Sequence, residues 1–163
     1  MITFDVVGIP RPQGSKKAFS ANGRAMLKEA GGLDHARWRN AVADAAKAIA
    51  DTLPQPLSGP LRLDVQYRFT MPASRPKATR TAGQAWKTTA PDRDKLDRAI
   101  CDAYQASGRI TNDSQICAGE SVKYEVTGWT GATITVTKLD TPTEPSFALE
   151  GCDVGNFPTL PAA

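Results

Sequence analysis

A short run of carboxylates carries the clearest chemical signal in this chain. Asp92 and Asp94 flank a single residue, Arg98 and Asp102 stand four and eight positions beyond Asp94, and Asp113 follows further on. At a helix entrance, where the chain is not yet fully helical, Asp92 and Asp94 can point to one side. An i,i+2 pair inside a helix cannot do so. Asp113 opens the next element, which can fold back beside the helix start. Three carboxylates in one small volume repel one another, and a bound divalent cation removes that cost. Ligands that are all oxygen suit Mg²⁺ or Mn²⁺ rather than zinc. Such a site within a basic surface is what phosphodiester hydrolysis requires: the cation holds phosphate and attacking water, while Lys or Arg offsets the developing charge. Spacing alone leaves a plainer reading open, with two helix-capping aspartates and an Asp94–Arg98 ion pair worth roughly a few tenths of a kcal/mol.

Several other chemistries lack their parts. Cys101, Cys117 and Cys152 are scattered outside any CxxC spacing, which argues against a disulfide framework and a thiolate zinc site. Cys101 and Cys117 fall in apolar patterns and read as core fillers. His35 is the single histidine, so no His-based metal cluster is available, and a Ser/His/Asp triad could use only His35, with no GxSxG elbow to accompany it. Gly14-Ser15-Lys16 lacks the spacing of a phosphate loop, and no nucleotide cofactor is expected. No apolar run approaches the length of about 18 residues that a membrane span needs. Met1 to Asp5 shows no signal-peptide pattern, so the expected location is cytoplasmic.

Charge is unevenly spread along the chain. Residues 1–90 hold 14 Lys/Arg against 6 Asp/Glu, and residues 91–163 hold 6 against 11, beneath an overall +3. A basic half beside an acidic half fits a protein that attracts a polyanion and keeps carboxylates for cations. An unevenly solvated surface would look the same.

These residues must be positioned by the surrounding elements. Ile2 to Ile9 reads as a strand, broken by Pro10, Pro12 and Gly14, and Arg11 to Arg24 as a basic loop. Leu33 to Leu53 has the longest helical periodicity, with Trp38, Val42, Ala45, Ala46, Ile49 and Leu53 on one stripe. Leu61, Leu63, Val65, Tyr67 and Phe69 alternate with polar residues, as in a half-buried strand. Met71 to Ala90 contains Arg75, Lys77, Arg80, Trp86 and Lys87 and no acidic residue. It reads as a mobile basic loop that orders on a phosphate backbone. Pro91 to Gly108 is a helix with Leu96, Ala99, Ile100 and Ala103 inward, and Val122–Val126 and Ala132–Val136 are two closing strands joined by a turn. The segment 140–163, rich in Pro and acidic residues, reads as a disordered tail to a domain spanning 1–139.

The run from Asp92 through Asp94, Leu96, Arg98, Asp102 and Ala103, followed by Asn112-Asp113-x-Gln115, resembles the signature of RusA-type Holliday junction resolvases. In that family the pattern is D-x-D-N-L-x-K-x-x-x-D-A-L with a later D-D-x-Q. The resemblance covers residues 2–138 in order, and 91–115 specifically. It implies an α+β domain with a mixed sheet packed against two helices, working as a homodimer on four-way DNA junctions, which it cuts by paired symmetric nicks in recombination and repair. It also implies a phage or prophage setting. Carried over by position, Asp92, Asp94 and Asp113 are the metal ligands for Mg²⁺, with Mn²⁺ as a substitute. Arg98 stands where the family has its catalytic lysine, and Asp102 and Gln115 match further motif positions. Lys95, Arg98 and Asn112 depart from the usual Asn, Lys and Asp. An arginine stabilises charge but cannot serve as a general acid, a role Lys95 could partly fill. Lys16, Lys17, Arg24, Arg75, Lys77, Arg80 and Lys87 are the expected phosphate contacts, with Trp86 stacking near the branch point. Three rival readings stand beside this one. They are a nuclease of the same fold acting on other branched or flap DNA, a decayed junction-binding protein, and, more remotely, a DxD-type glycosyl- or phosphotransferase.

Overall fold

The structure, a computed structural model, describes residues 1–14, 16–21, 24–29, 32–49 and 56–140, with backbone alone for 16–21 and 24–29. Some expectations therefore lie outside the described residues: the helix end towards Leu53, the tail beyond 140, and the side chains of Lys16, Lys17 and Arg24.

Among the described residues, eight strands and three helices follow one another. They are β1 (Ile2–Val7), β2 (Lys16–Ala21), β3 (Arg24–Glu29), α1 (Gly32–Ala48), β4 (Leu61–Thr70), α2 (Lys77–Ala82), β5 (Gln84–Trp86), α3 (Arg93–Ala106), β6 (Ile116–Ala118), β7 (Ser121–Val126) and β8 (Gly131–Lys138). The main sheet has the order β1-β8-β4-β7-β5, with β6 beside the start of β4, while β2 and β3 pair in a separate ribbon. β7 runs parallel to β4, and the other pairs along that order are antiparallel. The fold is therefore α+β with a mixed sheet, as the sequence implies.

Strand β4 organises the core. Its alternation buries Leu61, Leu63, Val65, Tyr67 and Phe69 and leaves Gln66 and Thr70 exposed. On that buried face α1 contributes Trp38, Val42 and Ala46, and α3 contributes Leu96, Ile100, Ala103 and Tyr104. Each fully buried Leu, Ile or Val of this layer contributes roughly 1.5–3 kcal/mol relative to exposure. The two helices pack against each other over this face, so the far face of the sheet carries the polar alternates Thr3, Asp5, Gln66, Arg68, Thr133 and Thr135. Between β6 and β7 the chain passes so close to β4 that a Cβ on Gly119 would collide with the Leu63 carbonyl. Glycine is needed there for the backbone approach. No helix among the described residues is long and apolar enough to cross a membrane.

Three local expectations are corrected. Residues 71–90 are not a structureless basic loop, because they form α2 and β5. Pro76 precedes the first turn of α2, Gly83 ends it in the left-handed region at φ 78°, and β5 then extends the sheet edge against β7. Residues 11–24 likewise contain strand β2 and the first residue of β3, because Lys16, Lys17 and Arg24 belong to a two-stranded ribbon. Finally, Cys117 is exposed, since it points outward between Ile116 and Ala118 on the short strand β6.

Candidate active site

Helix α3 positions most of the candidate residues. Asp92 occupies its N-cap with extended backbone, yet its side chain caps nothing. Instead one carboxylate oxygen accepts a 2.6 Å hydrogen bond from Lys95 Nζ. This ammonium holds the Asp92 carboxyl below the usual range, and the carboxylate in turn raises the Lys95 ammonium. Asp94 and Arg98 are exposed, and neither makes a side-chain hydrogen bond or ion pair among the described residues. The plainer reading of capping aspartates with an Asp94–Arg98 pair thus names contacts that are absent here.

Asp113 is held by a separate device. It is the first residue of a 3₁₀ turn, Asp113–Gln115, that leads into β6. Asn112 caps this turn by accepting from the Ser114 N–H at 2.9 Å. Gln115 reaches back, its Oε1 accepting from the backbone N–H groups of Thr111 and Asn112. Its Nε2 donates to the carbonyls of Leu57 and Gly59 at 3.1 and 3.2 Å, which ties the turn to the segment before β4. The reciprocal Asn112–Gln115 arrangement is a capping box. Asn112 therefore has a structural task that an asparagine performs as well as an aspartate. Asp113 is left exposed, with no side-chain partner among the described residues.

The turn packs against α3. Its charge is felt at Cys101, whose thiol is pushed up to about 11 by burial first, then by Asp97, Asp113 and Asp102. Asp97 and Asp102 of α3 and Asp113 of the turn are thus near enough to act on this one thiol. They are not drawn into a closed ligand set: among the described residues no three His, Cys, Asp or Glu side chains are grouped closely enough to hold a metal ion. Asp94 and Asp113 are exposed and uncommitted, and Asp92 has one oxygen on Lys95. By donor chemistry and access, the three aspartates fit a hard, oxygen-seeking cation.

Three positioning contacts were not evident from the motif. Asp97 accepts from the hydroxyl of Tyr67 at 2.9 Å and of Ser121 at 2.7 Å, pinning the helix to β4 and β7 one turn after Asp94. Burial, and then the Asp97 charge, push the Tyr67 phenol well above its ordinary range. Lys123 Nζ donates to the carbonyls of Pro91 and Thr89 at 2.7 and 3.0 Å, fixing the segment just before Asp92. The Gln13 N–H donates to the Lys95 carbonyl at 2.9 Å, which brings the segment after β1 onto the first turn of α3. One signal was available: Tyr67 sits at a core position of β4, and a buried phenol requires a partner.

The expected phosphate contacts divide into two groups. Arg75 and Lys87 face inward onto Glu125, a carboxylate only 2% exposed, at 2.6 and 3.9 Å. Arg75 accordingly holds Glu125 below its usual range. Lys87 also lies over the Phe69 ring, 5.1 Å from its centroid. Lys77 and Arg80 on α2 face solvent and make no ion pair among the described residues. Trp86 is 63% exposed and lies against Tyr124, with ring centroids 4.8 Å apart.

Comparison with known proteins bears on what this arrangement serves. The family model described as Endodeoxyribonuclease RusA matches residues 7–137, which contain every described element from β2 to β7 and nearly all of β8. No curated protein matches the chain. With four-fifths of its length covered, including both halves of the aspartate motif, the chain belongs to the RusA family of endodeoxyribonucleases.

Proposed function

We propose that the protein is a Mg²⁺-dependent endonuclease that resolves four-way DNA junctions by paired nicks, acting as a homodimer. The observation that carries this reading is the placement of the motif. Asp94 and Asp113, at positions the family signature marks, stand exposed and unengaged at the starts of two helical elements that pack together. Asp92, Asp94 and Asp113 would hold the metal, which when bound supplies an activated water and neutralises phosphate charge. Mn²⁺ would serve the same ligands.

The chain's own residues do the remaining work. Arg98, one turn beyond Asp94 and free of acidic partners among the described residues, offsets charge developing on the phosphate. Lys95 adds a second cation, steadied by Asp92. The helix entrance itself favours an anion, because the first N–H groups of α3 point outward. Lys77 and Arg80 supply contacts to the DNA backbone that carry no sequence preference. Two active sites related by a two-fold axis match the approximate symmetry of a four-way junction.

The deciding experiment is cleavage of a labelled synthetic junction, with Mg²⁺ or EDTA, by wild type and Asp94→Asn, beside Y-shaped and flap substrates. Symmetric metal-dependent nicking of the junction that the variant lacks is the expected result, with junction binding retained or tightened by the lost negative charge. An Asp94→Asn enzyme that cuts at the wild-type rate would remove this aspartate from the site. Preferential cutting of flaps would replace the junction as substrate.

A further inference from the structure

The edge of the sheet beside the active site carries a second, chemically distinct feature. In β5 and β7, Trp86 pairs in register with Tyr124, and in β4 and β7, Arg68 pairs with Tyr124. Neighbouring residues of a sheet share a face. Trp86, Tyr124 and Arg68 therefore form one row across three strands, on the face away from α3. The two rings lie 4.8 Å apart and 32° from parallel, and Trp86 is 63% exposed. Gln84, two residues before Trp86, shares its face. Gln84, Ala85, Trp86 and Tyr124 line a shallow cleft of about 290 Å³.

The cleft combines one exposed aromatic ring, Trp86, and one half-buried ring, Tyr124, with an amide that can both donate and accept. This is the composition of a recess for a flat, polar-edged ring. Its electrostatic setting is positive. Arg68 donates to Thr133 and Gln66 rather than to a carboxylate. Lys77 and Arg80 lie on α2, which abuts β5, and neither makes an ion pair among the described residues. A flat ring attached to an anion suits this surface better than an apolar partner does.

The cleft also lies close to the helix entrance through the chain itself. Lys123 and Tyr124 are consecutive in β7, so their side chains leave opposite faces of the sheet. Lys123 holds the Pro91 carbonyl just before Asp92, while Tyr124 supports Trp86. One strand, β7, thus serves the helix entrance from one face and the cleft from the other.

From these observations we infer that Gln84, Trp86 and Tyr124 form a stacking site for an unpaired nucleobase, on the strand adjoining the one presented to the aspartates. The inference rests on DNA being the substrate, and it goes beyond backbone contact because it makes the protein sense an unstacked base. Base–aromatic stacking tolerates any base, since each has a π-face.

The test uses the full chain in EDTA, so that binding is read without cleavage. Fluorescence polarisation of a labelled twelve-residue oligothymidylate is compared with a duplex of equal length for wild type, Trp86→Ala and Trp86→Phe. Trp86→Ala should weaken single-strand binding by roughly 5- to 150-fold, the loss of one stacked base, and leave duplex affinity within about twofold. Trp86→Phe should restore most of the loss. Equal single-strand affinity for wild type and Trp86→Ala would overturn the inference, as would an equal loss for both DNA forms. A changed sedimentation coefficient for Trp86→Ala with unchanged DNA affinity would overturn it too, and would mark the cleft as an interface between copies. Because no metal or cleavage enters, this site can fail while Asp94-dependent nicking stands, or hold while nicking is absent.

Discussion

The contact between Tyr67 and Asp97 offers a quantitative test of how α3 is held. Tyr67 is fully buried, and its hydroxyl donates to Asp97 at 2.9 Å. A hydrogen bond to a charged acceptor contributes roughly 1.5–3 kcal/mol, and stranding a buried hydroxyl costs about 1–3 kcal/mol. Tyr67→Phe removes the donor and leaves Asp97 bonded to Ser121, so it should cost about 1.5 kcal/mol. Asp97→Ala strands the buried Tyr67 hydroxyl and frees Ser121, so it should cost about 3 kcal/mol. In the Tyr67→Phe background there is no hydroxyl to strand, and Asp97→Ala should then cost markedly less. The double-mutant cycle, measured by urea unfolding at pH 7, should therefore show a coupling of about 1.5 kcal/mol. Additive costs, with coupling below about 0.5 kcal/mol, would refute the contact as a determinant of helix position. The pH dependence supplies an independent arm. Because the folded state holds the Tyr67 proton above the ordinary tyrosine range, the unfolded chain releases that proton first as pH rises. Wild-type stability should be unaffected by this group below about pH 10 and fall above it. Part of that alkaline loss should vanish in Tyr67→Phe, the rest belonging to the other groups raised in the folded state, Tyr104, Cys101 and Lys95.

Other expectations follow from neighbouring contacts. Gln115→Ala removes bonds to four backbone groups around the Asp113 turn. It should lower stability by roughly 2 kcal/mol in urea unfolding and slow junction cleavage more than it weakens junction binding. Asn112→Asp preserves the cap and should change stability by less than about 0.5 kcal/mol by the same measurement. A larger loss would mean the amide has a further partner. Arg75→Ala exposes the dependence of buried Glu125 on its guanidinium. Pairing keeps the Glu125 carboxyl low, so its stabilisation is present above the glutamate range and lost as pH falls through it. The deficit of Arg75→Ala should be largest near neutral pH and narrow towards about pH 4, with little change in the salt slope of DNA binding. A reduced slope with unchanged stability would return Arg75 to the DNA surface.

Much of the architecture and the motif was legible from local pattern. The alternation of β4, the stripe of α1 and the apolar face of α3 each follow from a period of 2 or 3.6, which needs no knowledge of the rest of the chain. The pairing of Asp92 and Asp94 at a helix start is likewise local, as is the turn chemistry around Asn112, Asp113 and Gln115. What these patterns do not contain is partnership across distance. Arg75 and Lys87 read as free cations because their carboxylate, Glu125, lies 50 and 38 positions away along the chain. Residues 71–90 read as a loop for the same reason, since β5 is a strand only where β7 offers it an edge. The local pattern gives Asp97 no partner, whereas the sheet brings the hydroxyls of Tyr67 and Ser121 onto it. Composition and periodicity set which side chains turn inward and where the chemistry-bearing aspartates begin. Which charges are spent inside the fold and which stay on its surface depends on strand order, because that order determines whose carboxylate each cation meets.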